Sequence, residues 1–455
     1  MTSDATWLLQ NVVLVPMDGP DNAPLGHVRR GNMRIRGDRI VGIGDLEPRA
    51  GERTVDGKGN VALPGFVQGH VHCTQTLFRG LACDLPLLPW LQQRIWPLEN
   101  AHDAASTRAS AQLTFTELLA GGTTTVQTME SVRHTEVTCE EAIAAGITAI
   151  VGNCLMDETD GGVPAGLPTS AADNLARTEA LWRQFHGRNG RLSIAVAPRF
   201  VLSCSDGLSR DAAALAKQCR LRVHTHAAEH PDEVKIVRTR CGRDYIEVLH
   251  DQGLLGENTS LAHCVHTSAR ERDLLRATKT AVLHCPSTNL KLGSGVAPIP
   301  AYLRLGLRIA IGADGAPCND RLSMLTELRQ AALLQCHAAG PGALRAEKAL
   351  WLATRGGAIA LGLDEEVGSL RPGLRADVAL IAFDDPLLHV PTGQDPPSIA
   401  PALVYTADER HVRSVLCGGD FVKADHTMLR YDTKRVRDSA ASVLPALLAR
   451  AGLAR

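Results

Sequence analysis

The sequence predicts an α/β fold in which an eight-stranded, TIM-like (β/α)8 barrel carries a small β-sandwich domain formed from both chain ends. Three observations predict it. The chain has 455 residues and 44% hydrophobic content, enough for a core larger than that of one small domain. Eight short apolar runs alternate with segments of helical apolar spacing, as parallel β/α units do. Short strand-and-turn patterns occupy both ends of the chain.

The order of these patterns sets the predicted domain boundaries. Residues 1–62 are β-branched runs separated by glycine turns, and they supply the first part of the small β domain. Residues 63–363 form the barrel. Residues 364–455 return to strand-and-turn patterns, so they complete the β domain and add a terminal helix.

The eight apolar runs are the predicted barrel strands. They span residues 62–72, 123–128, 149–153, 193–199, 222–226, 260–263, 280–284 and 308–314. Helices are predicted between them at 106–119, 210–218 and 270–276. Polar residues follow the aliphatic part of each run, at the carboxyl end of the strand. A barrel of this type places its chemistry at that end.

Charge and hydropathy exclude several classes of function. The net charge is −1, from 48 basic and 49 acidic residues, and no basic run is long enough to follow a phosphate backbone. Nucleic acid is therefore not an expected partner. The first ten residues lack a basic start with an apolar core, and no stretch reaches the roughly 18 apolar residues that span a bilayer. We expect a cytoplasmic protein with no membrane partner.

Cysteine usage limits the chemistry further. The 12 cysteines are scattered without a Cys-x-x-Cys pair, which predicts reduced, mostly buried thiols. Zinc deaminases of the cytidine type carry His-x-Glu and Pro-Cys-x-x-Cys. Neither pattern occurs here.

Histidine and aspartate at four strand ends form a candidate metal site. His70 and His72 are two residues apart at the end of the first strand, so both imidazoles reach the same side. The fifth strand ends at His226, the sixth at His263 and the eighth at Asp314. A lone His-x-His pattern is weak evidence for a metal site, but imidazole and carboxylate groups together suit Zn²⁺ or Fe²⁺.

The motif set resembles one known family. Pro64–His72, the His226-x-x-Glu229 pattern, His263 and Asp314 are similar to the amidohydrolase superfamily, in its deaminase and chlorohydrolase branch. The resemblance covers nearly the whole chain. It implies that His70, His72, His226 and Asp314 are the metal ligands.

The same resemblance implies the other roles at this site. Glu229 and His263 would lie beside the attacking water. His224 competes with His226 for the ligand role on the fifth strand, but only His226 has the His-x-x-Glu spacing of the family. Binuclear members carry a carboxylated lysine on the fourth strand, whereas 193–199 has no lysine. One divalent ion per chain is therefore expected, Zn²⁺ first and Fe²⁺ second, and the resemblance also implies a homo-oligomer.

This site suits hydrolytic deamination. A bound divalent ion lowers the pKa of its water towards 7, and Asp314 is placed to accept the proton. Attack on a ring carbon that bears an amino group puts charge on the neighbouring ring nitrogen, which must be protonated. Glu229 is the candidate acid, and His263 would orient the water. The expected product is ammonia.

The segment after the first strand predicts an aminopurine or nucleoside substrate. Residues 74–91 form an unusually long β/α loop, ending at 95–99. The loop resembles that of the methylthioadenosine/S-adenosylhomocysteine and 5′-deoxyadenosine deaminases. By that resemblance Trp90 lines the pocket and Glu99 bonds the ribose. The alternatives are a core aromatic for Trp90 and a helix-start carboxylate for Glu99.

Other residues point to a guanine-type substrate. Gln75 and Arg199 resemble the pair with which guanine deaminases hold the purine edge, and a guanidinium suits a ring carbonyl and nitrogen. Arg199 could instead pair with a loop carboxylate. Family members that act on S-adenosylhomocysteine use arginines against its carboxylate, but the third strand offers Thr148 and Asn153, which disfavours a charged tail.

Three alternatives stay open at this stage. The first is guanine or 8-oxoguanine deamination. The second is hydrolytic dechlorination of a triazine, although the sequence after Asp314 resembles the deaminases more. The third is a barrel that keeps a metal only for folding or binding, which would be expected to lose Glu229. Roles for His284 and for the glycine-containing stretch 287–295 are not assigned.

Overall fold

The computed structural model of the chain describes residues 6–388 and 396–454. In chain order the strands are β1 Thr6–Leu14, β2 Arg29–Arg36, β3 Arg39–Gly44, β4 Arg53–Asp56, β5 Val61–Pro64, β6 Phe66–Val71, β7 Thr123–Met129, β8 Thr148–Leu155, β9 Leu192–Pro198, β10 Arg222–Ala227, β11 Thr259–His263, β12 Ala281–His284, β13 Ile309–Ile311, β14 Val378–Ile381, β15 Val412–Cys417, β16 Asp420–Ala424 and β17 Thr427–Met428.

The α-helices complete the element order. They are α1 Leu87–Trp90, α2 Trp96–Asn100, α3 Ala104–Ala120, α4 Thr135–Ala145, α5 Ala171–Phe185, α6 Asp206–Cys219, α7 Pro231–Cys241, α8 Tyr245–Asp251, α9 Ala269–Thr278, α10 Pro286–Lys291, α11 Ile299–Arg304, α12 Ala316–Asn319, α13 Met324–Ala339, α14 Ala346–Leu352, α15 Arg355–Leu361, α16 Pro396–Tyr405 and α17 Thr433–Arg450.

Eight parallel strands form the barrel that the sequence predicts. β6 to β13 are hydrogen-bonded to one another in chain order. The first and eighth strands meet where the Asp314 N–H donates to the His70 carbonyl at 2.9 Å. The approach is close, because a Cβ on Gly312 would lie 2.7 Å from the His70 nitrogen. Glycine is therefore required at the closing contact.

The helices begin and end where their capping residues predict. The Asp103 side chain accepts from the Ser106 N–H at 2.8 Å and starts α3, and Gly121 follows the last helical residue. Ser268 and Glu271 form a capping box that starts α9. The three predicted helices are present, each longer than predicted by three to five residues in total.

Both chain ends share one sheet, as predicted. Its order is β17-β16-β15-β14-β5-β1-β2-β3, with β4 beside β1. β14, from the carboxyl-terminal part of the chain, pairs antiparallel with β5 from the amino-terminal part. This contact joins two segments that are more than 300 residues apart in the chain.

The run predicted as one strand at 62–72 is divided between the two sheets. β5 pairs with β14 and β1, whereas β6 pairs with β7. Gly65 separates them: its N–H donates to the Asp377 carbonyl at 2.9 Å, and a Cβ there would lie 2.1 Å from the Thr124 hydroxyl. The dipeptide Pro64-Gly65, a turn signal, stands at this division, and the predicted strand ran across it.

The predicted long loop after the first strand is mostly helical. Residues Cys73–Phe78 form a 3₁₀ turn, and helical backbone runs from α1 through a π-helical turn at Leu91–Ile95 into α2. Apolar side chains explain the difference. Trp90 and Trp96 are buried in a cluster that also includes Leu447 of α17. The carboxyl-terminal helix therefore packs against the segment that covers the barrel mouth.

The main core lies between the barrel strands and the surrounding helices, and residues such as Phe115, Ile194 and Leu328 are buried in it. Among the residues at 6–388 and 396–454, none of the helices is long and apolar enough to cross a membrane.

Candidate active site

The four predicted ligands converge at the carboxyl end of the barrel. The Nε2 atom of His72 lies 3.2 Å from His226 Nε2. The Asp314 Oδ1 atom is 3.2 Å from His70 Nε2 and 3.2 Å from His72 Nε2. One donor atom from each of the four residues lies within 4.8 Å of the others. One ion could therefore bind all four.

Each of the three imidazoles is fixed through its other nitrogen. The Nδ1 of His70 lies 2.8 Å from His224 Nε2. The Nδ1 of His72 donates to the Met129 carbonyl at 2.7 Å, and that of His226 donates to the Arg199 carbonyl at 2.7 Å. Such contacts orient the Nε2 lone pair towards a cation. The His-x-x-Glu spacing favoured His226 over His224 as the ligand, and His224 lies behind His70 instead.

The donor set fits a divalent cation. The His70 Nε2 atom is buried and has no hydrogen-bond partner within the described part of the chain. Burial lowers the pKa of His70, and it lowers that of His226 well below the ordinary value. Both imidazoles are therefore neutral, as a metal ligand must be. Three imidazoles and one carboxylate suit Zn²⁺ or Fe²⁺.

Backbone conformation at the mouth of the barrel is strained. Positive φ angles occur at Ala228 (49°), His263 (73°), Cys264 (47°) and Asp314 (64°). Residues other than glycine rarely adopt positive φ angles, and those that do concentrate at functional sites. Here they turn the chain immediately after three of the barrel strands.

Glu229 and His263 lie beside the ligand cluster. His263 Nε2 is 3.4 Å from Glu229 Oε2 and 3.8 Å from Asp314 Oδ2. The Asn289 amide is 3.0 Å from His263 Nδ1. Burial, followed by the carboxylates of Asp314 and Glu233, raises the pKa of Glu229 well above its usual value. Such a setting favours the protonated form of a carboxyl group, the form that can act as an acid.

A small cavity opens beside these groups. Of the predicted substrate residues, Gln75, Trp90 and Arg199 line it, next to Glu229 and Asp314. Its other walls are His72, Leu87, Leu91, Phe200, His226, Glu233 and Leu292. The free volume is about 30 Å³, room for about two water molecules. Two of the walls, Leu87 and Trp90, belong to α1.

Glu99 does not line this cavity. Its fully buried carboxylate accepts from Arg199 Nη1 at 2.5 Å and from the Gln75 amide at 2.9 Å. Arg199 therefore pairs with a carboxylate, as one of its two alternatives predicts. It also lines the cavity, and its contact with a substrate stays a prediction. Glu99 acts on the cavity through Gln75 and Arg199.

Two polar atoms near the cavity have no protein partner. Trp90 Nε1 and Gln75 Oε1 are buried without a hydrogen bond to any described residue. A buried polar atom left unpaired costs on the order of 1–3 kcal/mol. A ligand that bonds to either atom would remove this cost.

The third-strand residues considered as partners for a charged substrate tail form hydrogen bonds with other parts of the protein. The Thr148 hydroxyl accepts from Arg375 at 3.3 Å. Asn153 bonds Thr135 and Thr178. Neither Thr148 nor Asn153 lines the cavity.

Three residues at the site were not given a role by sequence. His224 positions His70, Asn289 positions His263, and Glu233 accepts the Glu229 N–H at 2.9 Å. Asn289 lies in the 287–295 stretch, which was noted without a role. Glu233 follows Glu229 by four residues, a helical spacing that could have identified it.

Comparison with known proteins gives a consistent result. The family model described as "Amidohydrolase family" matches residues 61–422. The chain is 36% identical over 421 residues to a 5-methylthioadenosine/S-adenosylhomocysteine deaminase of Halobacterium salinarum, covering 91% of this chain and 92% of the relative. It is 33% identical over 426 residues to a 5′-deoxyadenosine deaminase of Methanothermobacter thermautotrophicus, covering 93% and 96%.

Solved structures agree on the fold. An adenosine deaminase from Xanthomonas campestris with bound zinc superposes with a TM-score of 0.87 at 28% identity, covering 99% of this chain and all of the other. The E. coli guanine deaminase superposes with a TM-score of 0.82 at 27% identity, covering 92% and 98%.

Proposed function

The chain belongs to the amidohydrolase family, and from that premise we propose that it is a metal-dependent deaminase of a 5′-modified adenosine, such as 5′-deoxyadenosine or methylthioadenosine. One observation carries the proposal: Glu229 and Asp314 border a single cavity together with two of the imidazoles that converge for a cation. An acid, a base and a metal site thus face the same small space.

His70, His72, His226 and Asp314 would hold the ion, which the family and the donor set support as a divalent metal. We propose Zn²⁺, one per chain, because imidazole and carboxylate ligands suit it and the fourth strand has no lysine. When bound, the ion supplies Lewis-acid activation of a water molecule near neutral pH.

The chain's own residues supply the proton transfers. Asp314 Oδ2, which faces away from His70 and His72, accepts a proton from the attacking water. His263, held by Asn289, orients that water. Glu229 donates its proton to the ring nitrogen next to the carbon under attack, which prevents negative charge from building on the ring. The proton on Asp314 then leaves with the amino group as ammonia. The second proton of the water, left on the oxygen that becomes the carbonyl, is returned to Glu229.

The walls of the cavity favour an uncharged, partly apolar substrate. Leu87, Leu91, Leu292 and Phe200 face it, and none of the third-strand residues offers a cation to a substrate carboxylate. Trp90 suits a ring or a 5′ substituent, with its free N–H available to a substrate oxygen. A deoxy or methylthio group at the 5′ position fits such walls better than a charged homocysteine tail.

A second candidate is guanine or 8-oxoguanine deamination. Gln75 and Arg199 face the same cavity and share one buried carboxylate, Glu99. A guanidinium and an amide held in this way are suited to the carbonyl edge of a purine.

An ammonia-release screen tests both. The substrates are 5′-deoxyadenosine, methylthioadenosine, S-adenosylhomocysteine, adenosine, guanine, 8-oxoguanine and a chlorotriazine, compared by kcat/KM. We expect 5′-deoxyadenosine or methylthioadenosine to be the best substrate. S-adenosylhomocysteine should be at least about tenfold poorer, because Arg199, the guanidinium that lines the cavity, is already paired with Glu99. A preference for free guanine over every nucleoside would favour the second candidate. Release of chloride without ammonia would contradict both.

The family resemblance also leads us to expect a homo-oligomer, which sedimentation can measure.

A further inference from the structure

A second group of metal-binding side chains lies next to the ligand cluster. His263, Cys285 and Asp314 are all buried, and one donor atom from each lies within 4.8 Å of the others. They come from the ends of β11, β12 and β13, three neighbouring strands of the barrel. Two of the three, His263 and Cys285, are not among the proposed ligands of the first ion.

Asp314 is placed to serve both groups. Its Oδ1 atom is 3.2 Å from the Nε2 atoms of His70 and His72. Its Oδ2 atom is 3.8 Å from His263 Nε2. One oxygen of the carboxylate therefore lies nearest the first set of donors, while the other lies towards His263, and this arrangement allows Asp314 to bridge two ions.

The other two donors are uncommitted. His263 Nε2 is buried and has no hydrogen-bond partner in the described ranges, while its Nδ1 is fixed by Asn289 at 3.0 Å. Cys285 Sγ makes a long contact of 3.8 Å with the Leu283 carbonyl, close to the limit for sulfur. Neither donor loses a strong bond when it binds a cation.

The donor types select the cation. Sulfur, imidazole nitrogen and a carboxylate oxygen together suit Zn²⁺, Co²⁺ and Cd²⁺. Mg²⁺ and Ca²⁺ prefer oxygen ligands, and more of them. This group also offers fewer protein donors than the first, three rather than four, and one of them, Asp314, belongs to both groups.

We propose that His263, Cys285 and Asp314 form a second, weaker site for a thiophilic divalent cation, and that its occupation inhibits the enzyme. Binding converts the Cys285 thiol to a thiolate and releases its proton to solvent. The same binding takes the His263 imidazole away from the attacking water. The inhibition rests on the proposed function, whereas the existence of the site does not.

Cobalt titration tests the site without reference to activity. Co²⁺ is added to metal-free protein and the near-ultraviolet absorption of a cobalt–thiolate bond is followed. We expect no such band with the first equivalent, because the first site has no sulfur, and a band with the second. Absence of the band in the wild-type protein at excess Co²⁺ would overturn the proposal. A band at the first equivalent would also overturn it, because Cys285 would then belong to the first ion.

Two variants assign the sulfur. Cys285→Ser should lose the band while still binding one ion, and Cys264→Ser is the matched control, since Cys264 is equally buried beside His263 but outside the group. The exposed cysteines Cys83 and Cys241 are present in both variants, so their background cancels. A band that persists in Cys285→Ser would contradict the assignment.

Activity at excess zinc completes the test. With one equivalent of zinc, wild type and Cys285→Ser should deaminate substrate at similar rates. Excess zinc should slow the wild type on the order of 100-fold, the usual contribution of one positioned acid–base group, and should leave Cys285→Ser within about twofold. Equal inhibition of both would contradict the proposal. If no substrate is deaminated but the thiolate band appears as expected, the proposed function fails and the second site stands.

Discussion

Hydrogen bonds from the far side of each ligand side chain determine which of its atoms stays available for a cation. His70, His72 and His226 all use Nδ1 for a protein partner, so the three Nε2 atoms remain for a cation. The Glu229 side chain makes no hydrogen bond to any of the four proposed ligands. Its strongest side-chain contacts are a 3.4 Å bond from the Ser294 hydroxyl and the neighbouring His263. Removal of its acidity should therefore change the chemistry and spare the metal.

We expect Glu229→Gln to lower ammonia release at least about 100-fold, because general acid catalysis of this kind contributes on the order of 10²–10⁴. Metal content by elemental analysis should stay at the wild-type value, because Glu229 is outside the ligand set. Glu271→Gln is the control, since Glu271 is as buried but caps α9 away from the cavity. Deamination at the wild-type rate by Glu229→Gln would show that this carboxyl group is not the acid.

At the scale of the strands, the site depends on how the barrel closes. His70 lies in the first strand and Asp314 lies three residues beyond the eighth, and the bond between their backbones brings the two residues together. Gly312 allows that approach, since any side chain there would meet the His70 backbone. The same backbone contact therefore closes the barrel and brings two of the proposed metal ligands together.

We expect Gly312→Ala to destabilise the fold and to reduce metal binding together. A Cβ at 2.7 Å from a backbone atom must displace the strand, and overpacking of this kind costs about 1–3 kcal/mol or more. Thermal unfolding and elemental analysis measure the two effects. Gly256→Ala is the matched control, because a Cβ there meets nothing within 4 Å. Similar behaviour of the two variants would mean that the strand contact is not tight.

At the scale of the whole molecule, the small sheet and the barrel are joined through buried polar contacts. The Asp377 carbonyl accepts the Gly65 N–H, where the chain crosses from one sheet to the other. The Asp377 side chain accepts the Gly418 N–H at 2.6 Å. Burial raises the pKa of Asp377 from 3.8 to about 6, although Arg375 and Arg191 oppose this rise. The junction therefore prefers a protonated aspartate.

This preference makes stability depend on pH in a stated direction. The pKa of Asp377 is higher in the folded chain than in the unfolded one. Its contribution to the free energy of unfolding is therefore complete below about pH 4 and is lost as pH rises through about 6. The loss is about 3 kcal/mol. We expect Asp377→Asn, which cannot ionise, to lack this loss. Its unfolding temperature should rise relative to wild type between pH 4 and pH 7.

Thermal unfolding at several pH values measures the difference. Asp211→Asn, at an exposed position of α6, should follow the wild-type curve throughout. If Asp377→Asn also runs parallel to wild type, Asp377 does not titrate in this range.

The sequence by itself predicted the strand order, and its resemblance to a known family implied the four ligands and the acid Glu229. These depend on short-range patterns: alternating strands and helices, His-x-His, and His-x-x-Glu, each at a strand end. Tertiary structure alone decided the partners of those residues. It put His224 behind His70, joined Glu99 to Arg199, divided the first apolar run at Gly65 and brought Cys285 beside His263. Such contacts depend on the stagger of strands around the closed barrel and on side-chain packing, and neither is a function of spacing along the chain.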